Sequence, residues 1–217
     1  MVAVQELIDN KVFLGHPKNT SNPKTRDSWM GTHNGMVIFD PEVVTKQIEQ
    51  AQKMFAEAKK ANKEVLVICE KEVYKQEVEK LAEAKGFHYL NHKIPAWVLT
   101  NFDTLLSRIR SLKQMRSYVE SESFGLLTKK EQWMKKRSLA KIEQVYKWVV
   151  NLRKKPDLVI IIDGQMMHKF VEEVEKLSLS SIVLSSSNFD MWTKSHMVLC
   201  NINSQHSIGY VMNAIVA

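Results

Sequence analysis

Cysteine is nearly absent, with two in 217 residues, too few for a disulfide framework. Cys69 and Cys200 each sit inside an apolar run, where a free cysteine acts as a small buried hydrophobe, and this usage fits a reducing compartment. Glycine is also scarce, at 7 residues. None forms the G-x-G-x-x-G turn or the G-x-x-x-x-G-K-[ST] loop that cradles phosphates, so no nucleotide cofactor is expected. No apolar stretch approaches the roughly 18 residues needed to span a bilayer, and no membrane partner is expected. The opening MVAVQELIDNKVF has neither an apolar signal core nor an Arg/Ser-rich transit pattern. The expectation is a protein made where it works, or one whose presequence has been removed.

What is present suits an ordinary globular protein. Hydrophobic residues make up 44% and charged residues 25%, which is a folding composition rather than a disordered one. The length allows one domain with an appendage. Lysine and arginine total 31 against 24 acidic residues, a net charge of +7, which favours a polyanionic partner. The excess is modest, so the position of the charges has to carry the functional reading.

From Val37 onward the chain alternates apolar runs with helical patterns. Asp40-Pro41 closes the run Met36-Val37-Ile38-Phe39 and opens a helix, Asp as N-cap and Pro at the first helical position; Val44, Ile48, Ala51, Phe55 and Ala58 give it one apolar face. Glu64 to Cys69 reads as a strand buried on both faces. A helix follows through Val73, Val78 and Leu81, ended by Lys85-Gly86, and then a strand at Phe87 to Leu90. Further strands are predicted at Asp157 to Asp163, Ser181 to Leu184 and Met197 to Cys200. A short helix spans Phe170 to Leu177, and a closing helix carries Ile208, Val211, Met212 and Ile215. The fold class is α/β, a three-layer, flavodoxin-like parallel sheet of about five strands.

This rhythm breaks over residues 100–155. Phe102, Leu105, Leu106, Ile109, Leu112 and Met115 stripe a first helix, roughly 28 Å long if it reaches Glu120. Ser121 to Leu127 interrupts it. Thr128-Lys129-Lys130-Glu131 is a capping-box pattern opening a second helix striped by Leu139, Ile142, Tyr146 and Val149. The two are expected to form an inserted antiparallel helical hairpin, leaving residues 1–99 and 156–217 as the sheet domain.

Catalytic and metal chemistry find little support. His88 and His92 lie in a strand-to-loop stretch without a ligand set, so no metal is expected. Ser185-Ser186-Ser187 lacks the nucleophile elbow and reads as a polar loop. Asp163 and Asp190 follow strands at their C-terminal ends, where ligands bind in open α/β sheets. An enzyme acting on a phosphorylated or nucleotide ligand near Asp163, Ser185 and Asp190 is the alternative reading, but capping is the favoured role of both aspartates.

The cations are more informative. Lys18, Lys24 and Arg26 fall in HPKNTSNPKTRDSW, which is rich in Asn, Pro and Thr and reads as an exposed loop. Arg108, Arg110, Lys113 and Arg116 stud the first hairpin helix; Lys129, Lys130, Lys135, Lys136, Arg137 and Lys141 crowd the second. A charged run is often only a solvated face. Two such elements beside one sheet can neutralise several phosphates at once. Tyr118, Trp133 and Trp148 could stack on bases, although their helical spacing predicts packing within the hairpin.

These residues resemble the ribosomal protein S-two family. Gly15-His16, Asn22-Pro23-Lys24 and Asn34-Gly35 leading into Val37-Ile38-Phe39-Asp40 are similar to its opening. Leu99-Thr100-Asn101-Phe102 with Ser107-Arg108-Ile109 is similar to its hairpin entry. Leu127 to Glu131 and Pro156 to Asp163 follow in the family's order. The resemblance runs from about Leu7 to Val216 and implies a non-enzymatic scaffold in the small ribosomal subunit. Its partners would be small-subunit ribosomal RNA and neighbouring small-subunit proteins, with no small-molecule substrate and no cofactor. The RNA-binding residues implied are His16, Lys18, Asn22, Lys24, Arg26, His33, Asn34, Thr100, Asn101, Arg108, Arg110, Lys113, Lys129, Lys130 and Lys135.

The chain departs from the family at several points. Ile94-Pro95-Ala96-Trp97-Val98 replaces a Gly-Gly pair before Leu99, and His33 replaces an arginine. Ser21 stands where an aromatic is usual, Ser180-Ser181 where a Gly-Ile-Pro strand entry is usual, and Asn188-Phe189-Asp190 keeps only part of a Thr-Asn-x-Asp turn. Such drift points to a mitochondrial ribosome, the bacterial cytoplasm being the alternative.

Overall fold

The computed structural model describes residues 4–91, 97–146, 149, 150, 152, 154–190 and 194–217. His92, Ile94-Pro95-Ala96 and Trp148 lie outside the described residues. Helix α1 (Val4–Asp9) leads to β1 (Leu14–Pro17), a 3-10 helix (Pro23–Ser28), β2 (Trp29–His33) and β3 (Met36–Phe39). The three strands pair antiparallel in the order β1-β3-β2. β2 turns into β3 through Asn34 (φ 49°) and Gly35 (φ 75°), the two positive-φ positions of a type I′ hairpin turn.

The stretch expected to be an irregular exposed loop is therefore ordered. Asn22 Oδ1 accepts from the Lys24 amide and Pro23 begins the 3-10 helix, while Thr25 and Ser28 are buried. Asn and Pro, which suggested a loop, are here the residues that start a helical turn.

Helix α2 (Pro41–Lys60) opens as expected, with Asp40 Oδ1 accepting from the Glu42 amide at 2.9 Å. Its predicted face of Val44, Ile48, Ala51, Phe55 and Ala58 is wholly buried. β4 (Val65–Ile68), a 3-10 turn (Glu72–Tyr74), α3 (Lys75–Lys85) and β5 (His88–Leu90) follow. Val73 falls in the turn before α3 and is 59% exposed, while Val78 and Ala82 face inward. Gly86 closes α3 in the left-handed region, φ 66°, its amide donating to Ala82 O.

After α4 (Phe102–Glu120), α5 (Glu122–Gly125) and α6 (Lys129–Tyr146) the sheet resumes. β6 (Leu158–Ile162), α7 (His168–Lys176), β7 (Ser180–Ser185), β8 (His196–Leu199) and α8 (Gln205–Val216) complete the chain. The five-stranded sheet runs β5-β4-β6-β7-β8, every neighbouring pair parallel. β4 and β6 are buried along their whole length, which is why they read as unbroken apolar runs. Each such Val, Leu or Ile contributes about 1.5–3 kcal/mol on burial.

From β4 to β5 the chain moves one way across the sheet, and from β6 to β7 the other. Right-handed crossovers then place α3 and α7 on opposite faces. α8 packs against both α2 and α3, and Ile208, Val211, Met212 and Ile215 are buried as the pattern required. This is a three-layer flavodoxin-like order. Phe102, Leu105, Ile109, Val149 and Leu152 join the same core, rooting both ends of the helical excursion in the sheet domain. Among the described residues no helix is long and apolar enough to cross a membrane.

Candidate nucleic-acid interface

Doubly wound sheets bind ligands where the strand order reverses, here between the C-terminal ends of β4 and β6. Lys71 follows β4 and Asp163 follows β6, and their side chains meet at 2.7 Å. Asp163 also accepts from the Met166 amide at 3.1 Å, capping the turn into α7, and Lys71 donates to Ile202 O. The cavity left beside them is about 190 Å³, lined by His16, Gln165, Asn188 and Asn203 among others, below the roughly 300 Å³ at which small-molecule sites begin. Ser185 is fully buried and Asp190 binds Lys24. Asp163 and Asp190 of the enzyme reading thus hold their own neighbours. Among the described residues no group of His, Cys, Asp and Glu could hold a metal; His88 Nε2 pairs with Glu64 at 2.9 Å.

The amino-terminal cations are carried by the small antiparallel sheet, which is tied to the loop after β7. Ser187 Oγ accepts from the His16 amide at 2.9 Å and shares a hydrogen bond with Ser21 Oγ at 2.8 Å. Ser187 O accepts from the Asn22 amide at 2.7 Å and from Thr25 Oγ1 at 3.3 Å. Ser186 Oγ lies 2.9 Å from His16 Nδ1. Of the Ser185-Ser186-Ser187 run, expected as a polar loop, Ser185 ends β7 and Ser186-Ser187 form a buried anchor. Gly15 is required there, because a Cβ would meet Ser187 Oγ at 2.9 Å and Phe39 and Val37 at 3.1 Å. Only the spatial meeting of residues more than 160 apart makes these serines functional, so no local pattern marked them.

On this support Lys18, Lys24, Arg26, His33 and Asn34 are exposed. Lys24 bonds both Asp190 oxygens, at 3.0 and 3.1 Å; the pair is exposed and contributes about 0–1 kcal/mol. Asn22 is spent on its cap, and Asn34 shapes the hairpin turn. His16 departs from the expected outward placement: it is half-buried with its ring turned to Ser186, and burial lowers its pKa below the ordinary 6.5, Asp163 opposing and Lys71 reinforcing the shift. Its ring serves the interior instead of the outer surface.

The second group lies on α4 and α6, which pack against each other. Arg108, Arg110 and Lys113 are exposed on α4, and Lys129, Lys130 and Lys135 on α6. At the base of α4, Asn101 O accepts the Thr104 amide at 3.0 Å, and the Thr100 amide donates to Glu173 of α7. Both side chains are exposed beside Trp97, over which Lys176 sits at 5.1 Å. Arg116 pairs with Glu143 at 2.6 Å across the helices. The capping box forms as predicted: the Thr128 amide donates to Glu131 Oε2 at 3.0 Å and the Glu131 amide to Thr128 Oγ1 at 3.4 Å. Those bonds, with Lys135 nearby, hold the Glu131 carboxyl below its ordinary pKa.

Lys129 and Lys130 occupy the first turn of α6, where positive charge opposes the helix dipole at about 0.3–1 kcal/mol each. A sequence under selection for helix stability alone would not place them there. No residue of α6 is buried. Tyr118 packs edge-on against Phe124, as expected, but Trp133 does not pack: it is 58% exposed, with Arg137 at 5.1 Å over its ring. The spacing of Trp133 and Arg137 at i and i+4 was visible in the sequence, their exposure was not.

Comparison with known proteins bears on the whole chain. Residues 7–217 match the family model described as "Ribosomal protein S2". The small ribosomal subunit protein uS2 of Picosynechococcus sp. is 29% identical over 98% of this chain and 83% of its own length. That of Petrotoga mobilis is 29% identical over 98% and 74%, and that of Coprothermobacter proteolyticus 27% identical over 88% and 71%. Sequence pattern, sheet order and a match across nearly the whole length agree: the chain belongs to the ribosomal protein S2 family.

Proposed function

We propose that this protein is a non-enzymatic structural constituent of the small ribosomal subunit, where an inert α/β body holds two sets of cations against ribosomal RNA beside neighbouring small-subunit proteins. Family membership supports the ribosomal role. The observation that supports the RNA surface is the crowding of six cations against one carboxylate, Glu131, from Lys129 to Lys141 of the exposed helix α6. Phosphate contacts would come from Lys18, Lys24, Arg26, Arg108, Arg110, Lys113, Lys129, Lys130 and Lys135. His33, Asn34, Thr100 and Asn101 would add polar contacts, while Asn22 and His16 support the surface from behind. Residues 100–155 act as an inserted hairpin projecting from the body. Backbone recognition of this kind reads shape more than base sequence.

Within the ribosomal assignment, the drift at Ile94 to Val98, His33 and Ser180-Ser181 favours a mitochondrial ribosome. The test reverses charge at Lys129, Lys130 and Lys135 together, all of them exposed. The domain should stay folded, incorporation into small subunits should fall, and the salt dependence of RNA binding should weaken by roughly two to three in log–log slope. Normal sedimentation of the variant with small subunits would refute the hairpin assignment. Fractionation of the native protein with mitochondrial particles, or apart from them, decides the compartment.

A further inference from the structure

We propose that Trp133 and Arg137 form a stacking platform on the outer face of α6 that takes an unpaired base of an RNA strand. This inference rests on the reading of the hairpin as an RNA-binding element and names what one part of it recognises.

Lys129, Trp133, Arg137 and Lys141 follow one another at steps of four residues. They therefore form one ridge on the helix surface, about 6 Å per step and about 18 Å overall. The Arg137 guanidinium covers the indole at 5.1 Å, yet the residue remains 58% exposed. The cation orders the ring without hiding it. The inward side of α6 is already supplied by Leu139, Ile142 and Tyr146, which are half-buried, so Trp133 is not needed to close the hairpin.

Charge selects the class of partner. From Lys129 to Lys141 there are six cations and one carboxylate, Glu131. Glu131 is bonded to Thr128, and beyond this stretch Glu143 is bonded to Arg116. Lysines are depleted in protein–protein interfaces, whereas a cationic track with an exposed aromatic is how single-stranded nucleic acid is held. Stacking accepts any base, because every base has a π-face. The lysines would hold the phosphates on either side.

The test uses the full chain and a labelled single-stranded oligoadenylate, with a blunt RNA duplex as comparison. Trp133→Ala should weaken oligoadenylate binding roughly 5- to 100-fold, leave the slope of log affinity against log salt unchanged, and leave the thermal midpoint unchanged. Trp133→Phe should keep most of the affinity, Trp133→Leu should lose it, and duplex binding should be insensitive to all three. Tryptophan emission should be quenched on binding more strongly in the parent than in Trp133→Phe, which keeps four other tryptophans. Wild-type affinity in Trp133→Ala, with the salt slope intact, overturns the platform and leaves the phosphate reading standing. Wild-type affinity in Trp133→Leu overturns stacking in favour of an apolar contact. Absence of salt-dependent binding in the parent overturns both readings.

Discussion

Replacing Ser187 with alanine should loosen the amino-terminal sheet from the body. The hydroxyl is fully buried, accepts the His16 amide at 2.9 Å and pairs with Ser21 Oγ at 2.8 Å. Alanine leaves the carbonyl bonds to Asn22 and Thr25 in place, so the perturbation is confined to those two contacts. Stranding a donor such as the His16 amide costs about 1–3 kcal/mol, and losing the hydroxyl pair about 1 kcal/mol more. The total of about 2–4 kcal/mol is large against a domain stability of about 5–15 kcal/mol. Urea unfolding followed by circular dichroism should show a lower midpoint with an unchanged slope, and the thermal midpoint should fall by about 5–15 °C. Amide exchange should accelerate first over residues 14–39. Ser186→Ala removes only the bond to His16 Nδ1 and should cost about 1 kcal/mol. A Ser187→Ala protein within about 0.5 kcal/mol of the parent, or one more stable than Ser186→Ala, would refute the anchor.

Protonation of His16 should weaken the same junction. Its folded pKa lies below the ordinary 6.5, so below that value the unfolded chain binds more protons and stability falls with pH. The contribution is complete above about 6.5 and is lost as pH drops through the folded pKa; His16→Gln should flatten this part of the curve of thermal midpoint against pH, and an unchanged curve would sink the assignment. Burial pushes the Cys69 and Cys200 thiols up to about 12. A thiol reagent at neutral pH should therefore label neither in the native protein and both in urea, and a thiol that reacts without unfolding would contradict their placement in the core.

Much of the sheet domain was legible because its physics is local. Val65 to Ile68 and Leu158 to Ile162 are apolar on both faces, Asp40-Pro41 carries its own cap, and Gly86 takes the backbone conformation that ends α3. The amino-terminal sheet was not legible, since β1 is four residues containing glycine and proline and is fixed by distant pairing with Ile38 and Met36. The serine anchor was invisible for a related reason: a hydroxyl becomes structural only when another segment of chain covers it. Cationic residues could be counted in the sequence, but their partners could not. The chain alone could not show Lys24 bound to Asp190, His16 turned inward or Trp133 left in solvent.

The ion pair between Lys71 and Asp163 bears on the end of the sheet. In doubly wound sheets that take a ligand, it seats in the crevice outside the strand ends where the order reverses. Here Lys71 and Asp163 close part of that crevice with a charge pair and leave about 190 Å³ beside it. Two opposite charges that would otherwise face solvent at the end of the sheet neutralise each other there, and the exposed cations lie elsewhere on the surface.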